Sequence, residues 1–142
     1  MMDELRVSLA PRLSSVRSLA QMVEGFGDAN ELPEQKIYMI NLALDELITN
    51  TVSYGLQGVE QPQIEITVKV DDAAVVLTVV DNGRRFDPTQ DTGPDLSSDI
   101  DDRPVGGLGL HLIKSFADRM KYEYVDGKNR LTLEHDLVRA GG

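Results

Sequence analysis

The sequence predicts an α+β fold in which helices cover one face of a mainly antiparallel, mixed sheet, forming a two-layer α/β sandwich. Segments near both ends and in the middle of the chain alternate apolar and polar residues, which is typical of half-buried strands. Three other segments repeat apolar residues every three or four positions, as amphipathic helices do. The order strand, helix, helix, two strands, loop, helix, two strands argues against alternating βαβ units. We therefore predict a single domain over residues 1–142.

Composition narrows the classes of function. The formal net charge is −10 and the sequence pI is near 4.5, and such an anionic surface argues against nucleic acid as the main partner. The chain has no cysteine and two histidines, which excludes disulfides and thiolate metal sites and disfavours a histidine-rich zinc site. There is no apolar run of transmembrane length and no leader pattern, so we expect a soluble cytoplasmic protein that does not act at a membrane.

The first strand and the first helix are predicted at the start of the chain. Residues 2–9 alternate weakly and predict a strand at an edge of the sheet. Pro11 suits a first helical turn, so we expect a helix from this point to about Val23. Gly25 and Gly27 are predicted to end that helix.

The second predicted helix begins near Pro33 and closes at Gly55, and it carries the first candidate site residues. Its core-facing stripe comprises Ile37, Ile40, Leu44, Leu47, Ile48 and Thr51. Glu46 and Asn50 lie off this stripe and about 40° apart on the helical wheel, so a carboxylate and a carboxamide one turn apart can face a common point. The alternative is a solvated helix face, because such pairs are common on helix surfaces.

The remaining strands are predicted from two later pairs of segments. Residues 64–70 alternate and predict a half-buried antiparallel strand. Residues 74–80 are almost all apolar and predict a central, covered strand. Residues 121–125 and 130–137 predict two more strands around a turn at 126–129.

The motif VVDNGRRFDP, residues 79–88, follows the central strand directly. An aspartate at the end of a buried strand, with glycine two positions later, can hold its carboxylate inside a pocket while the chain turns away. A buried carboxylate needs hydrogen-bond donors, and the exocyclic amino group of a purine is one. The alternative is an ordinary strand-to-turn junction, where Asp and Gly are common.

A long acidic segment comes next. Residues 87–102 contain six aspartates and no basic residue, so this segment cannot bury enough apolar surface to order itself. We predict a mobile lid over residues 87–105, because a loop of this length inside a compact domain is usually functional or disordered.

The motif GGLGLHLI, residues 106–113, opens the third predicted helix, whose packing stripe includes Leu108, Phe116 and Met120. Glycines at a helix start allow backbone N–H groups to approach phosphate oxygens, and the helix N-terminus adds positive potential. The segment follows a loop and lacks the lysine of a Walker loop, so it is not a dinucleotide or P-loop fingerprint. The alternative is a glycine-rich hinge.

In their order and spacing these motifs resemble the GHKL (Bergerat) ATP-binding fold shared by DNA gyrase, MutL and histidine kinases. More narrowly, the chain resembles the small stand-alone serine protein kinases and anti-sigma factors of the RsbW and SpoIIAB type. DELITNTVSYG, residues 45–55, is similar to the N-box of the family, VVDNGRRFDP to its first glycine box and GGLGLHLI to its second. The resemblance covers nearly the whole chain.

The resemblance implies roles for four residues around the base and the reacting groups. Asn50 would hold a Mg²⁺ ion that bridges the phosphates of ATP, and Glu46 would be the general base toward the attacking hydroxyl. Asp81 would bind the adenine amino group, and Gly83 would make room for the base. Phosphoryl transfer needs mainly positioning and charge neutralisation, so this small set is chemically sufficient.

The resemblance implies further contacts to the phosphates. Gly107, Leu108 and Gly109 would offer backbone N–H donors, and Arg103 would meet the terminal phosphate. One departure is Arg85, which stands where the first glycine box often has a second glycine. Arg84 and Arg85 are expected to contact phosphate or, more simply, to be solvated.

Three functions remain open from the sequence. The resemblance implies first a serine/threonine protein kinase that phosphorylates an anti-sigma-factor antagonist of the STAS type and binds a sigma factor, acting as a homodimer. The alternative is a nucleotide-responsive binding module with little or no catalysis, and the third is a degenerate ATP-binding scaffold. The presence of Glu46, Asn50 and Asp81 argues against the third.

Overall fold

The computed structural model describes residues 3–90 and 109–137. The strands are β1 (Asp3–Leu9), β2 (Ile64–Val70), β3 (Ala74–Asp81), β4 (Arg119–Val125) and β5 (Lys128–Asp136). The α-helices are α1 (Ser15–Ala29), α2 (Glu34–Asn50) and α3 (Gly109–Phe116). The strands form one five-stranded sheet in the order β1-β2-β3-β5-β4. The predicted α+β sandwich is confirmed, and β1 lies at the predicted edge. Every pairing among the described strands is antiparallel, so no mixed part appears there.

The core lies between one face of the sheet and the helices. Ile66 pairs with Val79 and Val68 pairs with Leu77 in register on neighbouring strands, and all four side chains are buried. Alternate residues of β3 point to the other face and are only partly buried. β3 is central in the sheet, as predicted, and its second face is covered only in part.

Helix α1 differs from its prediction at both ends. The chain first turns after Ala10, where the Ser15 hydroxyl donates to the Ala10 carbonyl, and the helix begins only at Ser15. Gly27 does not end it: a Cβ there would lie 2.6 Å from Cγ1 of Ile37, so glycine allows α1 to approach α2 closely. The left-handed residue after this helix is Glu31, with φ of 57°.

Helix α2 begins at Glu34, directly after Pro33, as predicted. Five of the six predicted stripe residues are buried, and Thr51 is partly buried. The helix does not continue regularly to Gly55, because residues Thr51–Gly55 form a π-helical turn in which the Leu56 amide donates to the Thr51 carbonyl at 2.9 Å. Such turns are rare and occur often at functional sites.

The β4–β5 hairpin is tighter than predicted. Its connection is Asp126-Gly127, and both residues have positive φ, 55° and 76°, as two-residue hairpin turns of type I′ require. Lys128 and Asn129 therefore belong to β5 and not to the turn. Met120, predicted in the third helix, lies in β4.

The predicted lid lies largely outside the described residues. Its first described part is a 3₁₀ turn at Pro88–Gln90. Within residues 3–90 and 109–137, no helix is both long enough and apolar enough to span a membrane.

Candidate functional site

Asp81 lies at the carboxyl end of β3, where the strand leaves the sheet. Its side chain is buried, and its Oδ1 accepts hydrogen bonds from the Gly83 amide at 2.9 Å and from Nδ2 of Asn129 at 3.1 Å. Burial raises the pKa of this carboxyl, and the bonds from Asn129 and Gly83 offset part of that rise. Both bonds from the described residues reach the same oxygen, so Oδ2 is left for a donor from outside.

Gly83 lies against the end of the π-helical turn. A Cβ at this position would lie 2.5 Å from the Gly55 carbonyl oxygen and 2.9 Å from Oδ1 of Asp81, so only glycine fits. The next amide, of Arg84, donates to the same Gly55 carbonyl at 2.8 Å. The structure thus joins the motif after β3 to the end of the helical segment that carries Asn50.

Glu46 and Asn50 lie one turn apart on α2, as predicted. Glu46 Oε2 and Asn50 Oδ1 are buried, and neither has a hydrogen-bond partner among the residues that the structure describes. Buried oxygens without partners are rare, since each costs roughly 1–3 kcal/mol, and they call for an explanation such as an ion. Burial, followed by the neighbouring Asp45 carboxylate, raises the pKa of Glu46. An amide oxygen and a carboxylate are ligand types suited to Mg²⁺, so the residues present fit this ion.

Asn129 was missed by the sequence interpretation, which assigned it to a hairpin turn. It pairs with Asp81 in the β3–β5 register and is buried with 6% of its surface exposed. Beyond Asp81, its Nδ2 donates to the Arg84 carbonyl at 2.9 Å, and its Oδ1 accepts from the Phe86 amide at 3.1 Å and from the Tyr122 hydroxyl. One sequence signal could have placed it correctly: Asp126-Gly127 suits a two-residue hairpin turn, and such a turn puts Asn129 in the strand that follows.

Arg85 is exposed and lies over the ring of Tyr124 on β4, with 5.3 Å between Cζ and the ring centroid. This is a cation–π geometry. Arg85, which stands where the first glycine box often has a glycine, is therefore directed toward the edge of the sheet. The expectation that it is simply solvated did not include this contact.

The predicted phosphate contacts are described only in part. Arg103, Gly107 and Leu108 lie outside the described residues. Gly109 is the first residue of α3, so the second glycine motif leads into a helix as predicted.

The family model of the histidine kinase-like ATPase domain matches residues 9–135. The chain belongs to this family. The matched segment contains both ends of the candidate site, the α2 pair and the motif after β3. The predicted GHKL resemblance is thereby confirmed.

Several relatives within this ATPase family carry names that agree with the narrower resemblance. The serine/threonine-protein kinase BtrW of Bordetella bronchiseptica is 35% identical over 96 residues, which are 68% of this chain and 68% of the relative. The serine-protein kinase RsbW of Listeria monocytogenes is 28% identical over 131 residues, 89% of this chain and 83% of the relative. An anti-sigma F factor of Clostridium botulinum is 25% identical over 84 residues, 59% of each chain.

A solved structure of the RsbU and RsbW domains of a Mycobacterium tuberculosis protein supports the fold. It superposes with a TM-score of 0.65 at 16% identity and covers 97% of this chain. This chain spans about a third of that protein, 33% of its length.

Proposed function

We propose that this ATPase-family chain is an ATP-dependent serine/threonine protein kinase of the anti-sigma-factor type that acts in the cytoplasm. The observation that carries the proposal is that the candidate site has two different ends. At one end Asp81 is a fixed acceptor, and at the other Glu46 and Asn50 have buried oxygens without partners among the described residues. The first suits a base with an exocyclic amino group, and the second suits a cation and a hydroxyl group. The relatives named as kinases support the same reading.

The chain's own groups divide the work of binding ATP. Asp81 accepts a hydrogen bond from the adenine amino group through Oδ2, and Gly83 keeps the adjoining space open. Asn50 holds Mg²⁺ through Oδ1. When bound, Mg²⁺ neutralises charge on the phosphates, which is the main requirement of phosphoryl transfer. We assign the remaining phosphate contacts to the backbone of residues 107–109 and to Arg103, from the family resemblance.

Glu46 acts as the general base that takes the proton of the attacking serine or threonine hydroxyl. A base must be deprotonated to work, and burial raises the pKa of Glu46. As the pH decreases, the rate of transfer is therefore expected to begin to fall at a pH above the usual pKa of glutamate, which is about 4.3.

The protein substrate is proposed to be a STAS-type anti-sigma-factor antagonist, with a sigma factor as a second partner and a homodimer as the working form. A groove between the start of α1 and the middle of α2 supports a protein partner, because one of its lining residues, Asp45, is the chain neighbour of the proposed base. Its walls include Leu13, Val16 and Arg17 on one side and Asp45 and Thr49 on the other. Leu13 is 54% exposed and adds apolar surface to this groove.

A second candidate is a nucleotide-responsive anti-sigma binding module with little or no catalysis. The relative named anti-sigma F factor favours it, since that name describes binding and not transfer. The two candidates differ in their dependence on Glu46.

The test is transfer of the terminal phosphate of ATP to a purified STAS-type antagonist, measured beside binding of the same antagonist. Glu46→Ala should lower the transfer rate by roughly 10²–10⁴-fold, as expected for loss of a general base, and should remove the acid limb of the pH profile. Antagonist and ATP binding should persist. Transfer at the wild-type rate in Glu46→Ala would contradict the assigned role, and binding without transfer by the wild type would favour the binding module.

A further inference from the structure

The side chain of Asn129 uses all of its hydrogen-bonding positions inside the protein. Nδ2 donates to Oδ1 of Asp81 and to the Arg84 carbonyl, with a longer contact of 3.4 Å to the Gly83 carbonyl. Oδ1 accepts from the Phe86 amide and the Tyr122 hydroxyl. The amide orientation follows from chemistry, since the Phe86 amide can only donate and the Arg84 carbonyl can only accept.

These bonds reach three separate parts of the site. They join β5 to the end of β3 through Asp81, to the glycine motif through residues 83–86, and to β4 through Tyr122. The amide is nearly inaccessible to water, so no solvent molecule replaces a lost bond cheaply. Asn129 therefore fixes both the rotation of the Asp81 carboxylate and the path of the chain that follows it.

We propose that Asn129 is a positioning residue that sets the preference of the site for adenine over guanine nucleotides by holding Asp81 with one acceptor oxygen facing the base. The inference rests on the proposed function, because it takes Asp81 as the contact to the base. Adenine presents an amino donor at the position where guanine presents a carbonyl acceptor. A carboxylate oxygen fixed in this place accepts from the first and repels the second.

Loss of the amide donor weakens this preference in two ways. The carboxylate keeps only the bond from the Gly83 amide and is freer to rotate, so the bond to adenine weakens. Without the bond from Asn129, one hydrogen bond fewer opposes the effect of burial, so the pKa of Asp81 rises further. A protonated carboxyl can donate to the guanine carbonyl, which reduces the penalty for the wrong base.

The experiment compares isosteric variants of two neighbouring asparagines by titrating Mg²⁺-ATP and Mg²⁺-GTP into each protein across a range of pH. Asn129→Asp keeps the acceptor oxygen, removes the donation to Asp81, and adds charge repulsion, because the new oxygen takes the place of an amide nitrogen that lies 3.1 Å from Oδ1 of Asp81. Asn82→Asp is the matched control: Asn82 Nδ2 donates to the Gln61 carbonyl at 2.8 Å, and its Oδ1 accepts from the Gln63 amide at 2.8 Å. It introduces the same charge at the next position in the chain without removing a bond to Asp81, so it controls for the added charge but not for a carboxylate in direct contact with Asp81. Tyr122→Phe is an uncharged variant that removes the hydroxyl bonded to Asn129, together with the contacts of that hydroxyl to Arg85 and to the Phe86 amide.

We expect the ratio of the GTP and ATP dissociation constants to fall by at least about 10-fold in Asn129→Asp, by less in Tyr122→Phe, and not at all in Asn82→Asp. Equal weakening of both nucleotides in Asn129→Asp and in Tyr122→Phe, with the ratio unchanged, would overturn the inference and leave Asn129 a structural role. Wild-type protein that binds neither nucleotide at millimolar concentration would overturn the proposed function itself, which is a different result.

Discussion

The two ends of the candidate site are built in opposite ways. At Asp81 the protein supplies two donors to one carboxylate oxygen and fixes the surrounding loop through Asn129. At Glu46 and Asn50, one turn apart on a regular helix, two buried oxygens have no partner among the described residues. Within residues 3–90 and 109–137 the first end is therefore complete and the second is incomplete. Under the proposed function, the protein preorganises the contact to the base, and the ligand completes the groups around the phosphates.

The largest effect is expected from a substitution at the complete end of the site, at Asp81. Asp81→Asn retains an oxygen for the Gly83 and Asn129 donors but replaces the free acceptor by a donor, so we expect the dissociation constant for ATP to rise by about 100-fold or more. The folded protein should not be destabilised at neutral pH. The raised pKa of Asp81 means that the ionised form costs stability above that pKa, and the asparagine variant lacks this cost.

Calorimetric titration and thermal unfolding over pH check both parts of this prediction. Asp71→Asn is the control, since hydrogen bonds from the Ala73 and Ala74 amides lower the pKa of Asp71 and give its carboxylate the opposite dependence. That variant should bind ATP normally and lose the stability that Asp71 provides above its unfolded pKa. Wild-type affinity for ATP in Asp81→Asn would remove Asp81 from the base pocket.

A somewhat smaller effect is expected at the incomplete end. Asn50→Ala should weaken Mg²⁺-dependent ATP binding by roughly 10- to 100-fold, because a direct metal ligand matters at least as much as the groups that orient one. It should not lower the free energy of unfolding by the usual amount for a buried polar residue, since the lost oxygen had no partner.

The measurement is ATP affinity with and without Mg²⁺, beside denaturant unfolding. Asn41→Ala serves as the control on the same helix, where the amide donates to the Ala20 carbonyl at a long 3.4 Å. If Asn50→Ala left the Mg²⁺ dependence intact, the assignment of Asn50 as metal ligand would be wrong.

The smallest effect tests the contact between the two ends. Gly83→Ala forces a methyl group against the Gly55 carbonyl, and we expect a loss of about 1–3 kcal/mol in the free energy of unfolding together with weaker ATP binding. Gly25→Ala is the matched control, because a Cβ there meets nothing within 4 Å inside α1. It should stabilise the protein by roughly 0.5–1 kcal/mol. Equal stability of the two variants in urea would show that the close approach at Gly83 is easily relieved.

Local sequence patterns were sufficient to predict Glu46, Asn50 and Asp81 as candidate site residues, but they did not predict Asn129. Glu46 and Asn50 are four residues apart on a helix, so their common direction follows from helix geometry alone. Asp81 was predicted from the end of an apolar strand. Asn129 lies 48 positions from Asp81 in the chain, and only the strand register brings them together. A single sequence carries no local signal for such a pair.

The error at α1 has the same origin. Gly25 and Gly27 look like helix-ending residues when only the chain around them is considered. Gly27 is instead required by Ile37 on the neighbouring helix, which occupies the space that a side chain would need. Tertiary packing, and not a helix end, therefore explains the glycine at position 27.

The π-helical turn Thr51–Gly55 sets the spacing between the two ends of the candidate site. Its start follows Asn50 directly, and its last carbonyl accepts from the amide that follows Gly83. Adding or deleting one residue inside this turn would rotate Asn50 by about 100° relative to Asp81 while leaving Glu46, Asn50 and Asp81 themselves unchanged. The length of five residues is therefore as much a part of the site as the side chains on either side of it.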